Sequence, residues 1–196
     1  MTTAKKGLVM YSKEIHSVHY YAQISPIHCG PANAQMARDG RPNRKKYDQG
    51  YLFGVITDFN SKAAADKDQW NTDPKGLSAC LQSLSSPPID WVQCSNADPD
   101  EVMQFVLQSM DRTNFPFPAL VEDGDHWVLI VGWATDVKPT SANTPKLQHI
   151  HIFDPQDKST CHIHISADDW FADYFNPVDF KSSWQNKYAA VGQGPM

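Results

Sequence analysis

One stretch of the chain decides most of its structure: Gln23-Ile24-Ser25-Pro26-Ile27-His28-Cys29-Gly30-Pro31-Ala32-Asn33-Ala34-Gln35-Met36. Residues 29–38 contain no β-branched side chain and are rich in Ala, Gln and Met, which predicts a helix beginning at Cys29. Gly40 follows this helix, where a C-cap glycine belongs. The positive end of a helix dipole stabilises a thiolate, so Cys29 is a candidate nucleophile. Gln23, six residues earlier, can donate its amide to an oxyanion together with the Cys29 backbone N–H.

Outside this stretch, predicted helices precede predicted strands. Asp73-Pro74 and Asp98-Pro99 each combine an N-cap residue with a first-turn proline, and they predict helices over 75–84 and 100–110. Alternating or continuous apolar runs predict strands over 117–122, 126–134, 147–153, 161–166 and 188–191. Helices followed by antiparallel strands indicate an α+β fold.

Length and composition describe one domain of ordinary size. The chain has 196 residues, of which 41% are hydrophobic and 20% are charged, and this excludes intrinsic disorder. We expect a single domain over residues 1–196. Within it we expect a helical lobe over about residues 1–116, an antiparallel sheet lobe over about 117–196, and a cleft between the two.

Charge and targeting signals restrict the partners and the compartment. The formal net charge of −5 argues against a nucleic-acid partner. No stretch reaches the ~18 consecutive apolar residues of a membrane helix, and residues 1–10 lack the apolar region of a signal peptide. We therefore expect a cytoplasmic protein by default, with non-classical secretion left open, and a monomer by default. Four scattered cysteines give neither a disulfide framework nor a zinc ribbon; they are Cys29, Cys80, Cys94 and Cys161.

His126 and Asp154 are the candidate partners of Cys29. His126 follows a Gly-Asp turn and opens the most hydrophobic strand of the chain, where an imidazole can act as a general base. Asp154 ends the next predicted strand, and its carboxylate can accept a hydrogen bond from the far nitrogen of the imidazole. Two other acids compete for this role. Asp125 should point to the opposite face of the strand and Asp157 should lie at a loop tip, so Asp154 is preferred.

With these residues in this order, the chain resembles the papain-like cysteine peptidases, and among them the bacteriocin-processing, double-glycine-leader group. The resemblance rests on Q-x5-C-G-P-A-x3-M over residues 23–36 and on segments 73–77, 126–132 and 152–155. It implies a two-lobed α+β fold and hydrolysis of a peptide or isopeptide bond in a peptide or protein substrate, with no cofactor. It makes Cys29 the nucleophile and His126 the general base and acid. Asp154 then orients the imidazole, and Gln23 is the oxyanion donor.

Departures from papain itself leave alternatives open. Gly30-Pro31 follows the cysteine in place of Gly-Ser-Cys-Trp, and the third member is Asp rather than Asn, as in the bacteriocin-processing group. Transpeptidase, transglutaminase-like or amidase chemistry would use the same residues and differ in whether water reaches the acyl-enzyme. A second alternative is a noncatalytic metal- or protein-binding module on a papain-like scaffold.

A histidine-rich hairpin carries the metal alternative. His149 and His151 alternate with isoleucines on one predicted strand, and His162 and His164 do so on the next. With a turn centred between residues 156 and 157, His149 faces His164 and His151 faces His162, so the four imidazoles share one face. Imidazole is a common ligand for zinc or nickel, but a solvated polar face gives the same alternation. We therefore assign no metal site from the sequence and keep these four residues as an alternative.

Overall fold

The computed structural model describes residues 10–39, 45–85, 90–140, 142–159 and 162–194. The predicted C-cap Gly40, the cysteine at position 161 and the N-terminal residues 1–9 lie outside these ranges. Within the described ranges, no helix has both the length and the apolar character needed to cross a bilayer. The fold is α+β, as the order of predicted elements indicates.

Five α-helices are described: α1 (Cys29–Asp39), α2 (Gln49–Phe59), α3 (Pro74–Ser83), α4 (Pro99–Thr113) and the short α5 (Ala167–Asp169). Helix α5 continues into a π-helical turn, Trp170–Tyr174. Helices α1, α3 and α4 confirm the predictions, and Asp73 and Asp98 are the N-caps of α3 and α4. Helix α2 was not predicted. Asp48 caps it by accepting from the Tyr51 N–H.

In the described part of the chain, seven strands form one sheet: β1 (Tyr11–Glu14), β2 (Trp91–Asn96), β3 (Phe117–Val121), β4 (His126–Thr135), β5 (Leu147–Phe153), β6 (His162–Ser166) and β7 (Tyr188–Gln193). The strand order is β2-β7-β3-β4-β5-β6, and the paired neighbours are antiparallel. Strand β3 pairs with residues 126–130 of β4, and β1 pairs with residues 132–135 of the same strand.

Two strands that the sequence did not predict, β1 and β2, lie in the mostly helical first half of the chain. Strand β1 is short and lacks a buried face, so its sequence carries no alternation. Strand β2 pairs with β7, the last strand of the chain, so much of its stabilisation comes from distant residues. The boundary near Pro116 therefore separates four helices from most of the strands, but not from all of them.

Strand β4 lies at the centre of the core. All ten of its residues are buried, and they extend from His126 to Thr135. Helix α1 packs against β4, and helix α4 packs against β2 and β7. Strand β5 runs antiparallel to β4 with Phe153 opposite Leu129. This register brings the end of β5 beside the start of β4, close to the start of α1.

The β5–β6 hairpin has a different register from the predicted one. His151 lies opposite His164, whereas His149 lies opposite Ser166 and His162 opposite Phe153. The turn is therefore centred one residue further along the chain than the prediction placed it. This register places Ile150 opposite Ile165 and Ile152 opposite Ile163, so the apolar side chains of the two strands pack against one another.

Candidate active site

Cys29 is the first residue of α1 and is 8% exposed. The segment before it closes a turn in which the His28 N–H donates to the Ser25 carbonyl at 3.0 Å. Gly30 lies against Thr72, and a Cβ atom at position 30 would lie only 2.5 Å from the Thr72 Cβ. Glycine is therefore required for the 61–73 loop to approach the helix N-terminus beside the sulfur.

His126 is the first residue of β4 and is 4% exposed. The turn before it has three consecutive residues with positive φ: Glu122 at 53°, Asp123 at 58° and Gly124 at 100°. Left-handed backbone is uncommon for non-glycine residues and is retained where the surrounding structure fixes it. The Asp179 N–H donates to the Asp123 carbonyl at 3.1 Å and helps to hold the turn.

Asp154 is the acid that contacts the imidazole. Its Oδ1 lies 2.8 Å from His126 Nε2, and the same oxygen accepts from the Gln156 N–H at 2.8 Å. The competing acids are placed elsewhere: Asp125 is exposed, and the Asp157 carboxylate accepts from Ser159. Because Asp154 occupies Nε2, the remaining nitrogen, Nδ1, is the one left for Cys29, which raises the pKa of His126.

The electrostatics of the pair follow from these contacts. Burial lowers the pKa of His126, but the bonds and charges of Asp154 and Cys29 outweigh it and raise the pKa to about 10. Burial raises the pKa of the Asp154 carboxyl, yet the hydrogen bond and charge of His126 bring it below its usual range. Both shifts favour the charged forms of the His126–Asp154 pair. A cation beside sulfur at a helix N-terminus stabilises a thiolate.

Asn33 joins the two elements that carry Cys29 and His126. It is fully buried, and its Nδ2 donates to the Cys29 carbonyl at 2.9 Å and to the Trp127 carbonyl at 2.8 Å. The Trp127 indole in turn donates to the Thr72 carbonyl at 3.0 Å. Sequence analysis missed Asn33, because a polar residue within a helix carries no signal of a partner far along the chain.

Gln23 lies on the segment that leads into α1 and is half-buried. Its backbone N–H donates to the Pro155 carbonyl at 2.9 Å, next to Asp154, and its Oε1 is buried with no hydrogen-bond partner in the described part of the chain. Gln49 of α2 fixes both flanks of this residue. Gln49 Nε2 donates to the Ala22 carbonyl at 2.9 Å, and Gln49 Oε1 accepts from the Ile24 N–H at 3.0 Å. Gln49 is a second residue that the sequence did not reveal.

A small cleft opens beside Cys29. Its volume is about 80 Å³, and its walls include Ile27, Trp70, Thr72 and Asp125. The 61–73 wall is tied to the C-terminal part of the chain, because Asp66 accepts from the backbone and the hydroxyl of Ser183 at 2.7 Å. Trp70 packs on Phe180 at a ring-centroid distance of 4.8 Å. These contacts hold the cleft wall in place.

The histidines of the hairpin form a separate cluster. One ring nitrogen each of His151, His162 and His164 lies within 4.8 Å of the others, and His149 is not part of this set although its ring stacks on His151. Burial, followed by the charge of His164, lowers the pKa of His151 to about 4. Burial also lowers the pKa of His162. None of these residues contacts the cleft beside Cys29.

No protein-family model and no curated sequence matches the chain. Several solved structures are similar to the chain. The peptidase domain of Streptococcus ComA, a bi-functional ABC transporter involved in a quorum-sensing pathway, has a TM-score of 0.50 and 18% identity, with 91% of this chain and 100% of that chain covered. A double-glycine motif protease from an AMS/PCAT transporter, in complex with the leader peptide, has a TM-score of 0.50 and 10% identity, covering 93% and 94%. UfSP from C. elegans has a TM-score of 0.55 and 12% identity, covering 96% and 35%.

The chain has the papain-like fold. All three neighbours are papain-like cysteine peptidases, which confirms the fold that the sequence resemblance implies. At identities of 10–18% the similarity concerns the fold alone. The function of this papain-like chain therefore has to be argued from its own site residues, above all Cys29, His126 and Asp154.

Proposed function

We propose that this protein is a cysteine peptidase that hydrolyses peptide or isopeptide bonds. One observation carries the proposal: the His126 imidazole is bonded to Asp154 at 2.8 Å through Nε2, and Cys29, at the start of α1, is close enough to His126 to raise the pKa of the imidazole. A nucleophile, a base within reach of it, and a group that orients the base are the minimum set for covalent acyl transfer. The papain-like fold of the chain supports the same reading.

In this mechanism the Cys29 sulfur attacks the carbonyl carbon of the scissile bond and forms a thioester. His126 gives its proton to the leaving amine, which departs as the carbon–nitrogen bond breaks. His126 then takes a proton from water, the hydroxide attacks the thioester, and the thiolate leaves. Asp154 keeps Nε2 protonated throughout and so directs Nδ1 toward the sulfur.

The oxyanion of each tetrahedral intermediate needs donors. The backbone N–H of Cys29, at the unpaired start of α1, is one. The side chain of Gln23 is the proposed second donor. Its support is the pair of hydrogen bonds from Gln49 to the backbone of residues 22 and 24, which holds the backbone on both sides of Gln23.

The cleft favours small residues at the cleaved bond. Its volume of about 80 Å³ is far below the roughly 300–1,000 Å³ of pockets that enclose a drug-sized molecule. Trp70 and Thr72 limit its width. An extended peptide with Gly or Ala at the scissile bond fits such a cleft better than one with Phe or Trp. The leader peptide bound to the double-glycine motif protease makes linear peptides the first class to test.

The test is a cleavage screen with a peptide library, read by mass spectrometry. The wild type should cut a subset of peptides enriched in small residues at the scissile bond. Cys29→Ala should lower that rate by at least about 10³-fold, whereas the matched control Cys94→Ala, a half-buried thiol on β2, should stay close to wild type. Cleavage that survives Cys29→Ala would overturn the proposal, as would the absence of any cleaved peptide or isopeptide.

A further inference from the structure

The face of the β5–β6 hairpin holds imidazole nitrogens without a hydrogen-bond partner among the described residues. His151 is only 8% exposed, and both of its ring nitrogens are buried without a hydrogen bond among the described residues. His162 Nε2 is buried and unpartnered in the same way. A neutral imidazole presents one N–H and one lone pair, and burial of either without a partner costs free energy. Nitrogens grouped like this indicate a ligand that accepts several lone pairs at once.

A carboxylate from β1 reaches the same nitrogens. Glu14 Oε1 lies 3.7 Å from His162 Nε2, and Glu14 Oε2 lies 4.0 Å from His151 Nδ1. Glu14 pairs with Gly132 on β4, and Gly132 pairs with His151 on β5, so the carboxylate and the imidazole flank one glycine. A Cβ atom at Gly132 would lie 3.2 Å from His151 Nδ1. Because Gly132 has no side chain, the His151 ring has room on this face of the sheet.

Across the described ranges, the ion-pair contacts of Glu14 are with histidines: His16, His151 and His162. The separations of 3.7 Å from His162 and 4.0 Å from His151 are longer than a hydrogen bond. A cation placed between these groups would satisfy the carboxylate and the orphan nitrogens together. His164 completes the set, since its ring stacks on His151 at a centroid distance of 3.7 Å and its nitrogen lies in the same group.

We propose that Glu14, His151, His162 and His164 form a binding site for one divalent transition-metal ion, with Zn²⁺ as the best match. Three imidazoles and one carboxylate are a four-ligand set that suits tetrahedral zinc. The nitrogens now lie within 4.8 Å of one another, and Zn–N bonds of about 2.0–2.1 Å require separations of roughly 3.3–3.4 Å. All four side chains have rotatable χ angles through which they can approach one another when the ion binds.

The ion would join three strands that are distant in sequence. It links β1, which supplies Glu14, to β5 and β6, which supply the histidines. None of the four ligands belongs to the Cys29 site, so the ion stabilises the sheet and takes no part in acyl transfer. The proposal is therefore independent of the proposed peptidase function. It also differs from the sequence-based alternative, because Glu14 replaces His149.

The experiment uses the full chain carrying Cys29→Ala, so that the active-site thiol cannot hold zinc. After treatment with a chelator, Zn²⁺ is titrated by calorimetry and in competition with a chromophoric chelator. We expect one Zn²⁺ per chain, and a rise in Tm of roughly 5–10 °C at a hundredfold excess over Kd. Glu14→Gln and His164→Gln should each weaken binding at least about tenfold, and His151→Ala should weaken it about a hundredfold or more.

Two control variants separate the site from general histidine content. His149→Ala shares the face of the cluster but not its ligand set, and His19→Ala removes an exposed imidazole outside it. Both should bind Zn²⁺ like their parent. If His151→Ala fails to fold, as judged by circular dichroism, the outcome rests on Glu14→Gln and the exposed His164→Gln. Equal affinity in ligand and control variants would overturn the proposal, and so would zinc binding that requires Cys29.

Discussion

At the scale of single residues, the contacts of His126 explain why its pKa is raised although the imidazole is buried. Its pKa of about 10 is reached against burial, because Asp154 and Cys29 both favour the cation. An imidazolium that is paired on one side cannot rotate freely, and in the proposed mechanism this keeps its other nitrogen available to the sulfur. The carboxylate therefore acts on orientation as much as on charge.

Asp154 variants test this orientation. Asp154→Ala should lower kcat/KM by about 10³–10⁴-fold, because the imidazole loses both its tautomer and its direction. Asp154→Asn should retain more activity, since an amide oxygen can still accept from Nε2–H. Asp157→Ala is the matched control and should stay close to wild type, whereas Asp125→Ala alters the cleft wall and should affect KM rather than kcat. Kinetics on the four variants decide between these acids, and a dead Asp125→Ala with an active Asp154→Ala would refute the assignment.

Gln23 offers a second test at this scale. Gln23→Ala should lower kcat by about 10²–10³-fold with little change in Tm, because one oxyanion donor is lost and the backbone bond to Pro155 remains. Gln49→Ala should lower kcat as well, but together with Tm, since Gln49 is buried and bonded to residues on both sides of Gln23. Unchanged turnover in Gln23→Ala on a Cys29-dependent substrate would remove Gln23 from the mechanism.

At the scale of elements, the start of α1 depends on close packing against the 61–73 loop. Gly30→Ala places a methyl group against the Thr72 side chain and should destabilise the protein by about 1–3 kcal/mol and reduce activity. Gly54→Ala on α2 meets nothing within 4 Å and should be neutral or stabilising by about 0.5–1 kcal/mol.

Urea unfolding measures both glycine variants. The double variant Gly30→Ala/Thr72→Gly should recover most of the lost stability, because it removes the side chain that the new methyl group meets. A stable, fully active Gly30→Ala enzyme would show that the loop does not need this close approach.

The elements also show what the sequence could and could not predict. Local signals succeeded: Asp73 and Asp98 cap the helices that were expected after them, and Cys29 begins its helix. Pairings between distant segments could not be predicted. Strand β2 is completed by β7, and Asn33 bonds to the Trp127 carbonyl on β4. Such contacts leave no periodicity in a single segment.

At the scale of the whole molecule, the His126–Asp154 pair makes stability depend on pH. The folded pKa of His126 is raised from 6.5 to about 10, so its contribution is complete below pH 6.5 and is lost as pH rises through about 10. The folded pKa of Asp154 is lowered from 3.8, so its contribution is present above pH 3.8 and is lost in stronger acid. The pair therefore stabilises the fold most between about pH 3.8 and pH 6.5.

Comparison of wild type with Asp154→Asn isolates this effect. The wild type should exceed the variant by about 1.5–3 kcal/mol in free energy of unfolding near pH 5–6, the value of a hydrogen bond to a charged group. The difference should shrink toward pH 10, because His126 loses its charge there. Groups that the substitution does not affect contribute equally to both proteins and cancel in the comparison. Urea unfolding at several pH values gives the curve. A difference in free energy of unfolding that stays constant from pH 5 to pH 10 would mean that Asp154 does not stabilise the charged form of His126.

The measurement that tests the central claim most directly is the selectivity of thiol alkylation. With iodoacetamide at pH 6, mass spectrometry should find Cys29 modified well before Cys80 and Cys94, whose pKa values burial raises to about 12 and about 11. His126→Ala should abolish this preference, because the imidazolium that stabilises the thiolate is gone. Equal labelling of the three thiols, or rapid labelling of Cys29 that persists in His126→Ala, would contradict a site built from Cys29, His126 and Asp154.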